Sequence, residues 1–247
     1  VKVTVVGGKG LLGSHLSPTL TENGHDVTIT TRSATSEGEM EADLESGKGL
    51  REAMADADVV VHLASDPRKP RDIDVAGTRK LLEALTDGQL IVYMSIVGVD
   101  RHPFFYYRAK REAEQMIEAS GHRFTILRAT QFHDFVAYFL GAASRPPIAF
   151  IPKTFVFQPV DTGEVADQIA RLIDEPSQGI QPDFAGPAIH TAEYLARSLM
   201  SARGKERPMV SLPVFGKSAN AFRAGVHTNP DRAVGVRTWE DFLAGES

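Results

Sequence analysis

The chain contains no cysteine, which excludes disulfides and thiolate metal sites. Its 8 histidines form neither an HExxH pattern nor a close pair, so no metal site is expected. No apolar run approaches the about 20 residues that a membrane helix needs. The chain opens directly into a strand, without a leader pattern, so a cytoplasmic location without membrane contact is expected. An excess of positive charge is also missing. Lysine and arginine number 27 against 32 acidic residues, a net of −5, and no nucleic-acid partner is expected. Neither a solenoid-length repeat nor a low-complexity stretch is present. What remains is 247 residues, 42% of them hydrophobic, enough for an α/β domain with a small appendage.

The most informative stretch is the first. A β-forming run, Val3 to Val6, leads into Gly7-Gly8-Lys9-Gly10-Leu11-Leu12-Gly13. A helix is predicted over Leu11 to Asn23, with Asn23-Gly24 as its C-cap, and a second strand over Asp26 to Thr31. Strand, glycine loop, helix and strand form the first half of a dinucleotide-binding βαβ unit. One glycine makes the turn, one lets backbone approach a pyrophosphate, and one lets the helix pack close. The helix N-terminus offers its free N–H groups to the phosphates. The second strand ends at Arg32-Ser33, where NAD-binding units commonly carry an acid for the ribose hydroxyls. The guanidinium suits a 2′-phosphate, and Lys9 adds a second charge, so NADP(H) is the expected cofactor.

The repeat continues to residue 128. A third strand is expected at Met40 to Ala42, ending at Asp43-Leu44, where the aspartate either reaches an adenine amino group or caps a turn. A helix over Leu50 to Ala55 precedes the apolar strand Asp58 to Ala64. Within it, His62 reads as a core or strand-end residue. At its end, the small residues Ala64 and Ser65 leave room for a cofactor. Asp66 to Asp72 reads as a mobile flap, Ile73 to Leu85 as a helix, Leu90 to Met94 as a strand, Tyr106 to Ala119 as a helix, and Phe124 to Arg128 as a strand. This predicts a doubly wound parallel sheet, α/β of Rossmann type. Residues 1–128 form its cofactor-binding core. Residues 129–247 are expected to form a small C-terminal substrate-binding lobe with returning elements, closing a cleft at the carboxyl end of the sheet, the whole being one compact unit. Helices are predicted at Thr162 to Asp174, from a Thr191 cap to Ala202, and around Trp239. A strand is predicted at Met209 to Leu212.

Tyr106 and Lys110 lie four residues apart, on one face of a helix. An ammonium beside a phenol lowers its pKa and fits it to exchange a proton with a carbonyl or alcohol oxygen. Lys110 can also hydrogen-bond a nicotinamide ribose. Ser95, past the fifth strand, is placed to hold a substrate oxygen. Phe132 and His133, after the sixth strand, are the candidates for lining a substrate cleft. The other aromatics there, Phe135, Tyr138 and Phe139, read as lobe packing.

Taken together, Gly7-x-x-Gly10-x-x-Gly13, Asp43-Leu44, Ser95-Ile96-Val97-Gly98 and Tyr106-x-x-x-Lys110 resemble the short-chain dehydrogenase/reductase superfamily. Asp74-Val75-Ala76-Gly77-Thr78, Ile126 to Phe132, and Gln158-Pro159-Val160-Asp161 before Val165-Ala166 are similar to its atypical, NmrA-like branch. The resemblance implies an NADPH-dependent oxidoreductase acting on a small apolar carbonyl or quinone. Tyr106 would be its acid/base, Lys110 its partner and Ser95 the orienter. Gly7, Gly10, Leu11 and Leu12 would face the pyrophosphate, Arg32 the 2′-phosphate, and Ala64 and Ser65 the adenosine side. Asp74 departs from the pattern, standing where extended members often have Asn. The alternatives are a non-catalytic NADP(H) sensor of NmrA type and a nucleotide-sugar epimerase, the latter disfavoured by Arg32 and the short chain.

Overall fold

The computed structural model describes residues 1–175 and 179–245. In chain order the elements are β1 (Lys2–Val6), α1 (Leu11–Glu22), β2 (Asp26–Thr31), β3 (Glu39–Glu41), α2 (Leu50–Met54), β4 (Val59–His62), a π-helical segment (Arg71–Gly77) continuous with α3 (Thr78–Ala84), β5 (Leu90–Ile96), α4 (Phe105–Ala119) and β6 (Arg123–Ala129). There follow α5 (His133–Ala143), β7 (Ala149–Ile151), β8 (Val156–Phe157), α6 (Thr162–Asp174), β9 (Gly179–Ile180), β10 (His190–Thr191), α7 (Ala192–Ala202), β11 (Met209–Ser211), α8 (Lys217–Arg223) and α9 (Trp239–Gly245).

These residues divide into two compact units rather than one. The first comprises Val1–Ser95, Phe105–Arg128 and Val165–Pro182; the second comprises Ile96–Phe104, Ala129–Glu164 and Asp183–Ser247. The boundary expected at 128/129 is therefore crossed in both directions. Most of α6, with β9, returns to the first unit, whereas the loop after β5 belongs to the second.

The first unit holds a sheet of order β3-β2-β1-β4-β5-β6-β9. β1 runs parallel to both β2 and β4, with Val3 opposite Val27 and Val59. Strands covered on both faces read as unbroken apolar runs. Accordingly Val59 to His62 and Leu90 to Met94 are buried throughout. Val60, Ile91 and Ile126 meet Met54, Leu81 and Ile117 from the flanking helices in one core. The order in which successive strands are laid down reverses between β1 and β4, the switch point at which open α/β sheets place ligands. The segment expected to be a mobile flap, Asp66 to Asp72, is a hydrogen-bonded turn. Asp66 Oδ1 accepts from Arg68 N at 2.9 Å, and the chain then enters the π-helical segment directly.

The second unit packs α5, α7 and α9 around Leu140, Leu195, Leu199, Trp239 and Phe242. Thr191 caps α7 as expected, its hydroxyl accepting from Tyr194 N at 3.2 Å. Phe135, Tyr138 and Phe139, expected to pack in this lobe, are exposed on α5.

Candidate functional site

At the switch point the loop after β1 meets the end of β4. Gly7 has φ +89°, and a Cβ there would lie 2.8 Å from Ala64 N and 2.9 Å from Ala64 Cα. A Cβ at Gly13 would lie 2.4 Å from Gly8 Cα, so α1 packs against the loop with no room for a side chain. α1 begins after Gly10 with no capping side chain and no acid in its first turn. Its leading N–H groups therefore still need an acceptor, which suits a phosphate. The residues fit the pyrophosphate of a dinucleotide. Leu11 is exposed, whereas Leu12 turns its side chain into the core and has only backbone to offer.

The ribose end follows β2. Arg32 and Ser33 are exposed there, with no acid at the strand end. Lys9, read as a second positive charge near the 2′-phosphate, pairs with Glu39 Oε1 at 2.8 Å. Asp43 takes the turn role. Its carboxylate accepts from Glu45 N at 3.2 Å and Ser46 N at 3.0 Å. Hydrogen bonds from Ser46, followed by the Arg32 charge, hold it below its ordinary value despite partial burial. Leu44 packs in the core against Gly77, so only its backbone can face a ligand.

A second constellation lies in the same unit. The π-helical segment, with Val75 N bonding Pro70 O at 3.0 Å, carries the fully buried Asp74. Ser65 Oγ donates to Asp74 Oδ1 at 2.6 Å and lies 2.9 Å from the Tyr106 hydroxyl. A serine hydroxyl has one proton, here given to Asp74, so Tyr106 is the donor in the second bond. Lys110 Nζ donates to Met94 O at 2.7 Å, lies 3.7 Å from Asp74 Oδ1, and sits 4.2 Å from the centre of the Tyr93 ring. Burial lowers the lysine, opposed by Asp74 and Glu114.

This corrects the expected pairing. Lys110 is turned to β5 and Asp74, while the Tyr106 hydroxyl is turned to Ser65. Burial pushes the Tyr106 phenol above its ordinary range, and the Asp74 carboxylate adds to that shift. Ser65, read as an adenosine-side residue, is committed to this network. Asp74 is the member that the sequence reading noted only as a departure. Beneath it, Thr78 Oγ1 donates to Asp74 O at 2.6 Å and accepts from His62 Nε2 at 2.9 Å. That fixes the Nε2–H tautomer, and burial takes His62 down to about 3, confirming it as a neutral core residue.

Ser95 makes no hydrogen bond to Tyr106. It is fully buried on the Glu114 side, without meeting hydrogen-bond geometry to it. Glu114 itself accepts a fork from Arg128, Nε at 2.9 Å and Nη2 at 2.7 Å, and a bond from Arg111 at 2.8 Å. In the second unit, Phe132 is partly buried and precedes α5 in a backbone bridge with Val160. His133, expected to line a cleft, is fully buried, with its ring 5.2 Å from that of Phe242 and 5.9 Å from Trp239. Burial takes it to about 4, so it stays neutral in the core.

The fold has counterparts among known proteins. An NADPH-dependent quinone oxidoreductase from Escherichia coli, crystallised with NADPH, superposes with a TM-score of 0.82 at 17% identity, over 99% of each chain. A nucleoside-diphosphate-sugar epimerase from Staphylococcus aureus gives 0.79 at 17% identity, over 98% of this chain and 99% of its own. At such identities the likeness is one of fold. The mouse cytokine-like nuclear factor N-PAC is 31% identical over 117 residues, which are 47% of this chain but 19% of that protein. Among the described residues no helix is long and apolar enough to cross a membrane. The expected NAD(P)H-binding chain of Rossmann type is borne out. The NAD(P)H-binding family model matches residues 7–176, starting at the glycine that must lie against Ala64, and the chain belongs to that family.

Proposed function

We propose that this protein is an NADP(H)-dependent oxidoreductase that reduces the carbonyl of a small apolar ketone, aldehyde or quinone, with Tyr106 as proton donor. The observation that carries this reading is the Tyr106 hydroxyl, 2.9 Å from Ser65 Oγ. With Ser65, it is the solvent-reachable end of a network whose other members, Asp74 and Lys110, are buried. Gly7 and Gly10 admit the pyrophosphate, the N–H groups of Leu11 and Leu12 bind it, and Arg32 with Ser33 takes the 2′-phosphate. When bound, the nicotinamide supplies the hydride to the carbonyl carbon. Tyr106 gives its phenolic proton to the carbonyl oxygen. Lys110 acts at one remove, balancing the charge of Asp74. The fold shared with an NADPH-dependent quinone oxidoreductase supports a reductase-type role.

The test is NADPH oxidation with a panel of quinones, aldehydes and ketones. Tyr106→Phe should lower kcat by about 100-fold or more, the usual contribution of a general acid, while NADPH affinity stays within a few-fold. An unchanged kcat overturns the assignment. One observation favours a second reading, a non-catalytic NADP(H) sensor: Lys110 and Tyr106 face different partners. No turnover with any acceptor, together with unequal affinities for NADPH and NADP⁺, would decide for it.

A further inference from the structure

Asp74 is held from three sides. Thr78 bonds its carbonyl, Ser65 bonds its carboxylate, and Lys110 faces that same carboxylate oxygen. Its other oxygen accepts from Asp66 N at 3.4 Å. We propose that Asp74, acting through Ser65, is a positioning residue that keeps Tyr106 in its proton-donating form and biases the site toward carbonyl reduction over alcohol oxidation. This rests on the reading of Tyr106 as proton donor.

The argument is one of hydrogen-bond direction. A carboxylate only accepts, so Asp74 draws the single Ser65 proton to itself and leaves Ser65 a lone pair for Tyr106. That arrangement suits a phenol and opposes a phenolate, which would face a lone pair with a carboxylate behind it. For Ser65 to donate to a phenolate, it must first break its 2.6 Å bond to Asp74.

The other groups around Tyr106 do not replace this effect. Asp66, on the preceding turn, adds like charge without a bond to the phenol. Lys110, on α4, spends its charge on Asp74 and Met94 O. Glu114 is neutralised by Arg128 and Arg111. The Tyr93 phenol on β5 is pushed up by burial and His62 down by it, so both are neutral, and Tyr107 meets Tyr106 edge-on at 6.2 Å.

An amide at position 74 has N–H groups to donate. Asp74→Asn would let the bonds run the other way, from residue 74 to Ser65 and from Ser65 to Tyr106, which favours phenolate. The ultraviolet tyrosinate titration, taken as the difference between each protein and its Tyr106→Phe counterpart, isolates Tyr106 without any substrate. Asp74→Asn should move that titration down by about 1–3 pH units. With a working substrate, the alkaline limb of kcat/KM for reduction should move with it and alcohol oxidation should gain, while the KM for NADPH holds. Ser65→Ala, at an exposed loop position, removes the acceptor of Tyr106 together with the donor to Asp74, and should shift the titration in the same direction by less. It also keeps the test alive if Asp74→Asn fails to fold. An unmoved titration in Asp74→Asn, or an upward shift in Ser65→Ala, overturns the proposal. Failure of the parent reading looks different: Tyr106→Phe then retains turnover whatever the titration does.

Discussion

Replacing Gly7 with alanine tests the switch-point geometry most directly, because two separate costs fall on one residue. Its φ of +89° is strained for any residue with a Cβ, about 1–2 kcal/mol. The added carbon would also sit 2.8, 2.9 and 3.2 Å from Ala64 N, Ala64 Cα and Leu63 C, all of them backbone atoms in or beside the sheet. No flexible side chain can yield there, so an overpacking cost of about 1–3 kcal/mol is added. The sum, about 2–5 kcal/mol, is a large part of the about 5–15 kcal/mol that holds a typical domain folded. Gly24 is the matched control, with φ +83° and nothing within 4 Å of an added Cβ. Gly24→Ala should show the strain alone. Urea unfolding of the two variants against the wild type measures the difference, and fluorescence titration with NADPH should show weaker binding only for Gly7→Ala. Equal destabilisation of the two variants would refute the close approach of the glycine loop to β4.

Arg32→Ala should weaken NADPH binding by about 10- to 100-fold, the worth of a charged hydrogen bond, and leave NADH binding unchanged. An equal loss for both cofactors in a titration would remove Arg32 from the 2′-phosphate. Glu114→Gln should destabilise the protein by about 3 kcal/mol, because it unbalances the largely buried Arg128 guanidinium. Burial alone would raise the Glu114 carboxyl, but the Arg128 and Arg111 bonds hold it below the ordinary glutamate range. Its stabilisation is therefore complete above the unfolded value and is lost as pH falls through the lower, folded one. Urea midpoints measured across that acid range should fall for the wild type and stay flatter for Glu114→Gln.

The first 33 residues were legible because a glycine loop, a cap and two short β runs each carry a local signal. The central strands showed as unbroken apolar runs, and α4 as a strong helix former. What escaped was set by partners distant in sequence. Ile73 to Leu85 reads as one ordinary helix, since a wide turn leaves no mark on the periodicity, so Asp74 was placed in the sequence but not in space. Spacing put Tyr106 and Lys110 on one face, but it does not say which way a four-carbon stem turns, and the Met94 carbonyl decided that. His133 followed a strand end, as a site residue might, and proved to be core because Trp239 and Phe242 come back over it from more than a hundred positions away. The two-residue strands β8, β9 and β10 are too short to leave a pattern of their own.

The π-helical segment has a consequence for how such a site changes over evolutionary time. Its bonds reach one residue further than those of an α-helix. Deleting a single residue between Asp74 and Gly77 would let the segment close as α-helix in line with α3. Leu81 and Ala84 would keep their places in the core, while everything before the deletion turned by about 100°. The carboxylate would leave Ser65, and the Ser65 proton would be released to Tyr106. Two chains of this fold can thus share their tyrosine, serine, lysine and aspartate, align without a mismatch at any of them, and still differ in acid–base behaviour through one gap in a helix.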